Sequence, residues 1–331
     1  MIGIFTVMNS PVRPFFKGLP KFVAATDELE AHEAEQSVYY WWWSFLRLSP
    51  VLWFAQQTGI KPTDPQVAKV CESFGDLRRL SFDRWWRSTG RVIFAESKRP
   101  AKVQALALDQ MGEHAFDPNK LYVEVPLTIR QQTIVKQFKA ILGNAHDGRG
   151  LNLAAHSNAE FKLHTKRYRL RTIEAEYWVM LYRLLHPNIE VWRIGDRLQV
   201  APQHRVRDGD GSILNASKHA LNSLTGRYLY KGRYSLLHAE RGNFPNTDEI
   251  ELSARHQPFG LKHQTDYRAA TQDGKDGTAS AWTQLLKKEY AVTLKYEIVR
   301  RNFIESQMRL PDGKMRRRID AFIAGESDLL A

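Results

Sequence analysis

Residues 39–46 read Tyr-Tyr-Trp-Trp-Trp-Ser-Phe-Leu, and this run limits the fold more than any other stretch of the chain. Successive residues of an α-helix turn by about 100°, so five consecutive aromatics point in every direction around the axis instead of forming one apolar stripe. Such a helix has no face left for water. Further helices, another domain or another subunit must cover it. The rings also offer flat faces on which nucleobases can stack, but side chains pointing all round favour packing. The apolar stretch 38–55 is unsuited to a bilayer, since Ser44, Arg47, Ser49 and Pro50 interrupt it. Pro50 is expected to divide a helical segment 27–57 in two, and residues 27–35 give that segment an acidic start suited to the positive end of a helix dipole.

The rest of the chain is large enough to supply the cover. It has 331 residues, of which 43% are hydrophobic, enough for one large core or for two or three smaller ones. Its net charge of +12 points to a polyanionic partner, nucleic acid before a membrane surface. That charge is unevenly placed. Residues 160–245 hold fifteen Lys/Arg against eight Asp/Glu, so seven of the twelve excess charges sit in about a quarter of the length.

This stretch opens with Lys162-Leu-His-Thr-Lys-Arg-Tyr-Arg-Leu-Arg171, in which Lys162, Lys166, Arg167, Arg169 and Arg171 are candidate phosphate anchors. Three helices are predicted after it. Leu170, Ile173, Tyr177, Leu181 and Leu184 recur at helical spacing up to Pro187-Asn188. Residues 189–200 form a short second helix with Trp192, Ile194 and Leu198 on its apolar face and Gly195 where a close crossing needs no side chain. Residues 221–237 form the third, on which Arg227, Lys231 and Tyr234 share a face and Arg233 is a further candidate contact. Helices in this order suggest a helix-turn-helix unit, with Arg227, Lys231, Arg233 and Tyr234 meeting phosphates or base edges. The connection of about eighteen polar residues, 201–218, is far longer than the usual turn. The competing reading is an ordinary bundle whose charges face water.

The order Tyr39-Tyr-Trp-Trp-Trp-Ser-Phe-Leu46, Phe74-Gly-Asp76, Phe82-Asp-Arg-Trp-Trp-Arg-Ser-Thr-Gly90 and Phe94-Ala-Glu96 resembles a family of bacterial proteins associated with prophages and other mobile elements. The similar order continues through Val125-Pro-Leu-Thr128, Trp192-Arg-Ile-Gly195, Leu224-Thr-Gly-Arg-Tyr-Leu229 and Gly242-Asn-Phe-Pro245. It covers residues 38–245 and carries over no catalytic residues. What it implies is a bacterial, intracellular mobile-element setting.

Two rival functions remain open. Asp83, Glu96 and Lys98 resemble the metal-binding core of PD-(D/E)xK nucleases, in which carboxylates hold magnesium and the lysine assists the attacking water. A structural subunit that binds other proteins, or itself, through its aromatics and a long C-terminal helix is the other. The single cysteine, Cys71, offers no disulfide framework and no cysteine-based zinc cluster, which suits a reducing cytoplasm. The first residues lack the charged start and cleavage site of a secretory signal. Asp208-Gly-Asp-Gly211 and Asp273-Gly-Lys-Asp-Gly277 read as turns, and neither a metal nor a cofactor is expected.

The expected fold is mainly α with a small β element, strands at 91–98 and 120–127, and a helix-turn-helix-like basic domain in the middle of the chain. The expected segments are an extended arm (1–26), an aromatic-rich α+β N-terminal domain (27–149), the basic helical domain (150–246), a polar linker (247–278) and a C-terminal helical segment (279–331). The partner expected is nucleic acid, double-stranded DNA before RNA, with no membrane and with room for protein partners or self-association.

Overall fold

Ser37 starts the helix that carries the aromatic run: its Oγ accepts from the Tyr39 amide at 3.3 Å, and α1 (Val38–Arg47) follows. The computed structural model describes residues 35–95, 121–146, 157, 159–165, 168–209, 211–251, 257–272 and 280–308, the side chains of Asp83, Arg301 and residues 303–308 excepted. Every residue of α1 is buried, as an all-round aromatic helix requires. Ser49 then caps α2 (Pro50–Thr58) by accepting from the Leu52 amide at 3.0 Å. Pro50 takes the first helical position, where its missing N–H costs nothing. Asp64 caps α3 (Pro65–Phe74) in the same way. A short α4 (Phe82–Trp85) runs through a π-helical turn (Trp86–Gly90) into α5 (Arg91–Ile93). The later helices are α6 (Gln131–Ala145), α7 (Leu170–Leu185), α8 (Val191–Arg197), α9 (Asn215–Glu240), α10 (Leu261–Thr271) and α11 (Ala281–Met308).

α1 is the axis of the core. Trp41 and Phe45 meet Tyr177 of α7 at 5.6 and 5.7 Å. Trp42 meets Phe244, just beyond α9, at 5.6 Å and donates its Nε1 proton to the Ala239 carbonyl at 3.2 Å. Trp43 meets Phe82 and Tyr296 of α11 at 5.6 and 5.7 Å, and Tyr39 meets Phe94 at 4.4 Å. Tilted and edge-on pairs like these contribute about 0.5–1.5 kcal/mol each beyond the area they bury. Buried residues of segments read apart in sequence, 27–149, 150–246 and 279–331, belong to this one continuous cluster.

Charged groups enter the same core. Arg47 of α1 stands 4.6 Å from the centres of both the Trp43 and Tyr296 rings, and its Nη1 lies 3.8 Å from Glu297 Oε1 of α11. Glu297 also accepts from the Tyr40 hydroxyl and, at 3.5 Å, from the Tyr177 hydroxyl. One turn on, Arg300 pairs with Glu35 and covers the Tyr40 ring at 4.4 Å. Two cations thus balance two carboxylates where α11 crosses α1.

Four expectations are corrected. No strand exists among the described residues, where the β structure is a single bridge between Arg207 and Ile213. Of the expected strand 91–98, Arg91–Ile93 is helical because the chain continues out of the π-helical turn and stacks Phe94 on Trp86 at 6.1 Å, while residues 96–98 lie outside the described residues. Residues 121–126 are irregular, since no second strand lies beside them to complete a ladder. The stretch read as a polar linker, 247–278, contains α10, whose sequence has little apolar periodicity; it is anchored by Phe259 and Tyr267, 4.9 and 5.6 Å from Phe54. On α11, Trp282, Leu285, Val292 and Val299 are exposed, and the core side is Thr283, Leu286, Tyr290, Thr293, Leu294, Glu297 and Arg300. Polar and charged side chains thus share this interior side with the apolar ones. No described helix is long and apolar enough to cross a membrane.

Candidate nucleic-acid interface

Two close crossings build the basic region. At Gly232 of α9, an added Cβ would fall 2.5 Å from Met180 Cγ and 3.0 Å from the Glu176 carbonyl of α7. At Gly195 of α8, it would fall 2.1 Å from Thr225 Oγ1 of α9. Glycine at each point lets the backbones approach, and together they decide which side of α9 faces inward. Leu221, Thr225, Gly232 and Leu236 are buried, whereas Arg227 and Lys231 are exposed. Tyr234, half-buried on their side, packs edge-on to Tyr230 at 4.9 Å.

The connections differ in kind. The five residues 186–190 join α7 to α8, and Arg183 holds that turn by donating to the Pro187 and Ile189 carbonyls, each at 2.8 Å. Residues 198–214 join α8 to α9 through a 3₁₀ turn, Pro202–His204, and the bridged loop 207–213. Asp196 folds this loop back onto α8, accepting from Arg205 Nε at 2.7 Å and Arg207 Nη2 at 3.1 Å. Asp208 closes its tip by accepting from the Ser212 amide at 3.0 Å, so Asp208, Gly209 and Gly211 fall in the tip of the bridged loop, while Asp210 lies outside the described residues.

Arg227, Lys231 and Arg233 are all exposed, and none forms an ion pair among the described residues. Arg227, Lys231 and Tyr234 come together on one face as their spacing predicts; Arg233, two residues beyond Lys231, turns away by about 200°. The earlier anchors stand elsewhere. His164 donates its amide to the Phe244 carbonyl at 3.0 Å, so α7 starts where α9 ends. Exposed Arg169 and Arg171 therefore lie toward the end of α9, with Arg171 five residues, about 7.5 Å, before the level of Glu176 and Lys231. Lys162 is exposed and follows Phe161, whose amide donates to the Ile93 carbonyl at 3.0 Å. Lys166 and Arg167 lie outside the described residues, as do Glu96, Lys98 and the side chain of Asp83; the backbone of Asp83 is in α4.

A second basic and aromatic spot escaped the sequence reading. The half-buried Trp192 ring lies 5.2 Å from the Arg193 guanidinium and 5.3 Å from the Lys218 ammonium. Arg193 adjoins the tryptophan in sequence, but Lys218 arrives only because the 198–214 loop returns the start of α9 to α8. Nine positions before Arg227, Lys218 occupies the opposite side of α9, so the two basic faces are distinct.

The exposed surface is more basic than the residue count. Of the eight acids between 160 and 245, Glu174, Glu176 and Glu240 are buried. Burial pushes the Glu176 carboxyl up to about 7, against the hydrogen bond from Ser235 and the nearby Lys231 charge. It pushes Glu240 up to about 7 as well, against a 2.5 Å hydrogen bond from Ser49 and the charge of Arg241. The chain can thus present cations in this region while hiding or engaging much of the counter-charge. No protein-family model matches the chain, and no curated protein and no solved structure matches it.

Proposed function

We propose that the protein binds nucleic acid, double-stranded DNA before RNA, as a non-enzymatic component of a bacterial mobile-element or phage-related system in the cytoplasm. The observation that carries this reading is the exposed face of α9, where Arg227 and Lys231 stand beside Tyr234 with no ion pair among the described residues, while three acids of the same stretch are buried. Guanidinium and ammonium groups so placed are free to take phosphate oxygens, and an arginine can also read guanine edges. In the helix-turn-helix-like reading, α7 and α8 brace α9, and α9 enters the major groove. The crossings at Gly195 and Gly232 support the bracing; the seventeen-residue connection 198–214 departs from the usual short turn. The mobile-element setting rests on the sequence resemblance.

Binding to a duplex by fluorescence anisotropy, repeated over a salt series, tests the proposal. Affinity should fall steeply and linearly on logarithmic axes as neutralised phosphates release counterions. No binding at low salt contradicts it. Magnesium should leave the bound duplex intact, whereas cleavage that disappears in Glu96→Gln would move the function to the nuclease class.

A further inference from the structure

We infer that Arg84, Arg87 and Arg91 form a second phosphate-binding stripe, continued by Lys162, along which the backbone of the bound nucleic acid runs. The inference rests on the nucleic-acid reading above but not on its placement at α9. Residues 77–95 hold five arginines against one acid, Asp83, a net charge of +4. Two of the five are engaged by the protein itself. Arg78 turns inward and donates to the Arg47 and Ser49 carbonyls at 3.0 and 3.1 Å, and Arg79 pairs with Asp76 at 3.1 Å. Arg84, Arg87 and Arg91 form no ion pair among the described residues, and they follow one another at spacings of three and four. The helical run 82–93 is two-sided: Phe82, Trp85, Trp86, Gly90 and Ile93 are buried, while Arg84, Arg87 and Ser88 are exposed and Arg91 is half-buried.

The helix that presents the stripe is fixed in place. Trp85 donates its Nε1 proton to the Phe74 carbonyl at 2.9 Å, and the Phe82 amide donates to the Tyr296 hydroxyl at 3.1 Å. In the π-helical turn that carries Arg87, an added Cβ at Gly90 would fall 2.6 Å from Trp86 Cε3 and 2.7 Å from Trp85 Cζ3, so glycine lets both indoles stay inside. Such turns are rare and often accompany functional sites. A fourth cation arrives from another segment: the Phe161 amide donates to the Ile93 carbonyl at 3.0 Å, which sets exposed Lys162 beside the end of the stripe. The neighbouring acid, Glu160, is engaged by Ser73 at 2.6 Å and Lys69 at 4.0 Å. Chemistry then selects the partner. From Arg84 to Arg91 the helix rises about 10 Å, the length of about three phosphates of one strand, and guanidinium groups match phosphate oxygens two at a time. A membrane surface fits less well, because the apolar side of this helix faces the core and Val92 is its one exposed large hydrophobic side chain among the described residues.

Duplex binding by the full chain over a salt series tests the inference. Arg84→Gln/Arg87→Gln/Arg91→Gln should lower affinity at least about tenfold at about 50 mM salt and make the logarithmic salt slope shallower by about 0.9 for each lost contact, about 2.7 in all. Arg84→Lys/Arg87→Lys/Arg91→Lys keeps the charge and should keep the slope, while binding more weakly than the wild type because the paired hydrogen bonds are lost. Lys262→Gln/Arg268→Gln/Lys288→Gln removes the same charge from exposed positions on α10 and α11 and should bind nearly like the wild type. Should the change at half-buried Arg91 lower the melting temperature, Arg84→Gln/Arg87→Gln, exposed at both positions, should still lose about 1.8 of the slope. A glutamine triple variant that binds like the wild type, or that loses no more than the α10 and α11 control, overturns the inference. So does one that loses binding to phosphatidylglycerol vesicles while its duplex affinity is unchanged. A wild type that binds no duplex at low salt overturns the nucleic-acid reading and this inference with it. Loss in the stripe variant with normal binding by Arg227→Ala/Lys231→Ala would count against the α9 placement alone.

Discussion

Gly195 of α8 and Thr225 of α9 meet so closely that a Cβ placed on the glycine would lie 2.1 Å from the threonine Oγ1. The threonine is buried and its hydroxyl has no hydrogen-bond partner among the described residues, so the contact is steric. Gly195→Ala should push the two helices apart and cost about 1–3 kcal/mol, the usual penalty for overpacking. Thr225→Ala should recover most of that loss in the double variant and cost little alone. Urea denaturation of the four proteins measures the coupling; additive effects would show that the helices do not touch there.

Glu240 and Glu176 make stability fall as pH rises. Each carboxyl is raised by burial from an ordinary value near 4.5 to about 7. The folded state therefore holds the proton more tightly than the unfolded chain, and the contribution is full below 4.5 and gone once pH passes about 7. Between those limits the slope reaches about 1.4 kcal/mol per pH unit for each group. Glu240→Gln, whose amide still accepts from Ser49, should flatten the dependence of the melting temperature between pH 5 and 7. An unchanged slope would mean that the carboxyl titrates near its ordinary value.

Glu297 joins α11 to α1 by accepting from Tyr40 and facing Arg47 at 3.8 Å. Burial raises its carboxyl, with Arg300 and Arg47 opposing. Glu297→Ala leaves Arg47 buried without its carboxylate and should cost about 3–5 kcal/mol by chemical denaturation. Arg47→Met with Glu297→Leu should cost less than the sum of the single changes, because neither charge is stranded. Strict additivity would mean that the pair contributes nothing jointly.

The aromatic run was legible because its consequence is geometric: consecutive rings on a helix need cover on all sides, and α1 has it. Ser49 and Pro50 marked the break, Gly195 the close crossing, and Arg227, Lys231 and Tyr234 a common face, all through local spacing. What sequence hid depended on the partner segment. Glu297 and Arg300 look like solvated positions until Tyr40, Arg47 and Glu35 meet them inside. α10 lacks an apolar stripe because Phe259 and Tyr267 do most of its anchoring. Lys218 reaches Trp192 only through a loop whose path no periodicity encodes. The expected strands failed because alternation of apolar residues, as in 120–127, makes no sheet without a neighbour.

The exposed pair Arg227 and Lys231 bears the central claim, and duplex affinity over a salt series for Arg227→Ala/Lys231→Ala tests it most directly. Alanine keeps or improves helix propensity, and both side chains are exposed and form no ion pair among the described residues, so the fold should persist. Affinity should drop for every duplex sequence, and the logarithmic salt slope should become shallower by about one unit per lost phosphate contact; if Arg227 reads a base, about 1–3 kcal/mol of discrimination should vanish at one position. Lys288→Ala/Lys295→Ala, two exposed cations on α11, should bind like the wild type. Equal losses in the two variants, or no loss in either, would contradict the placement of the contact surface on α9.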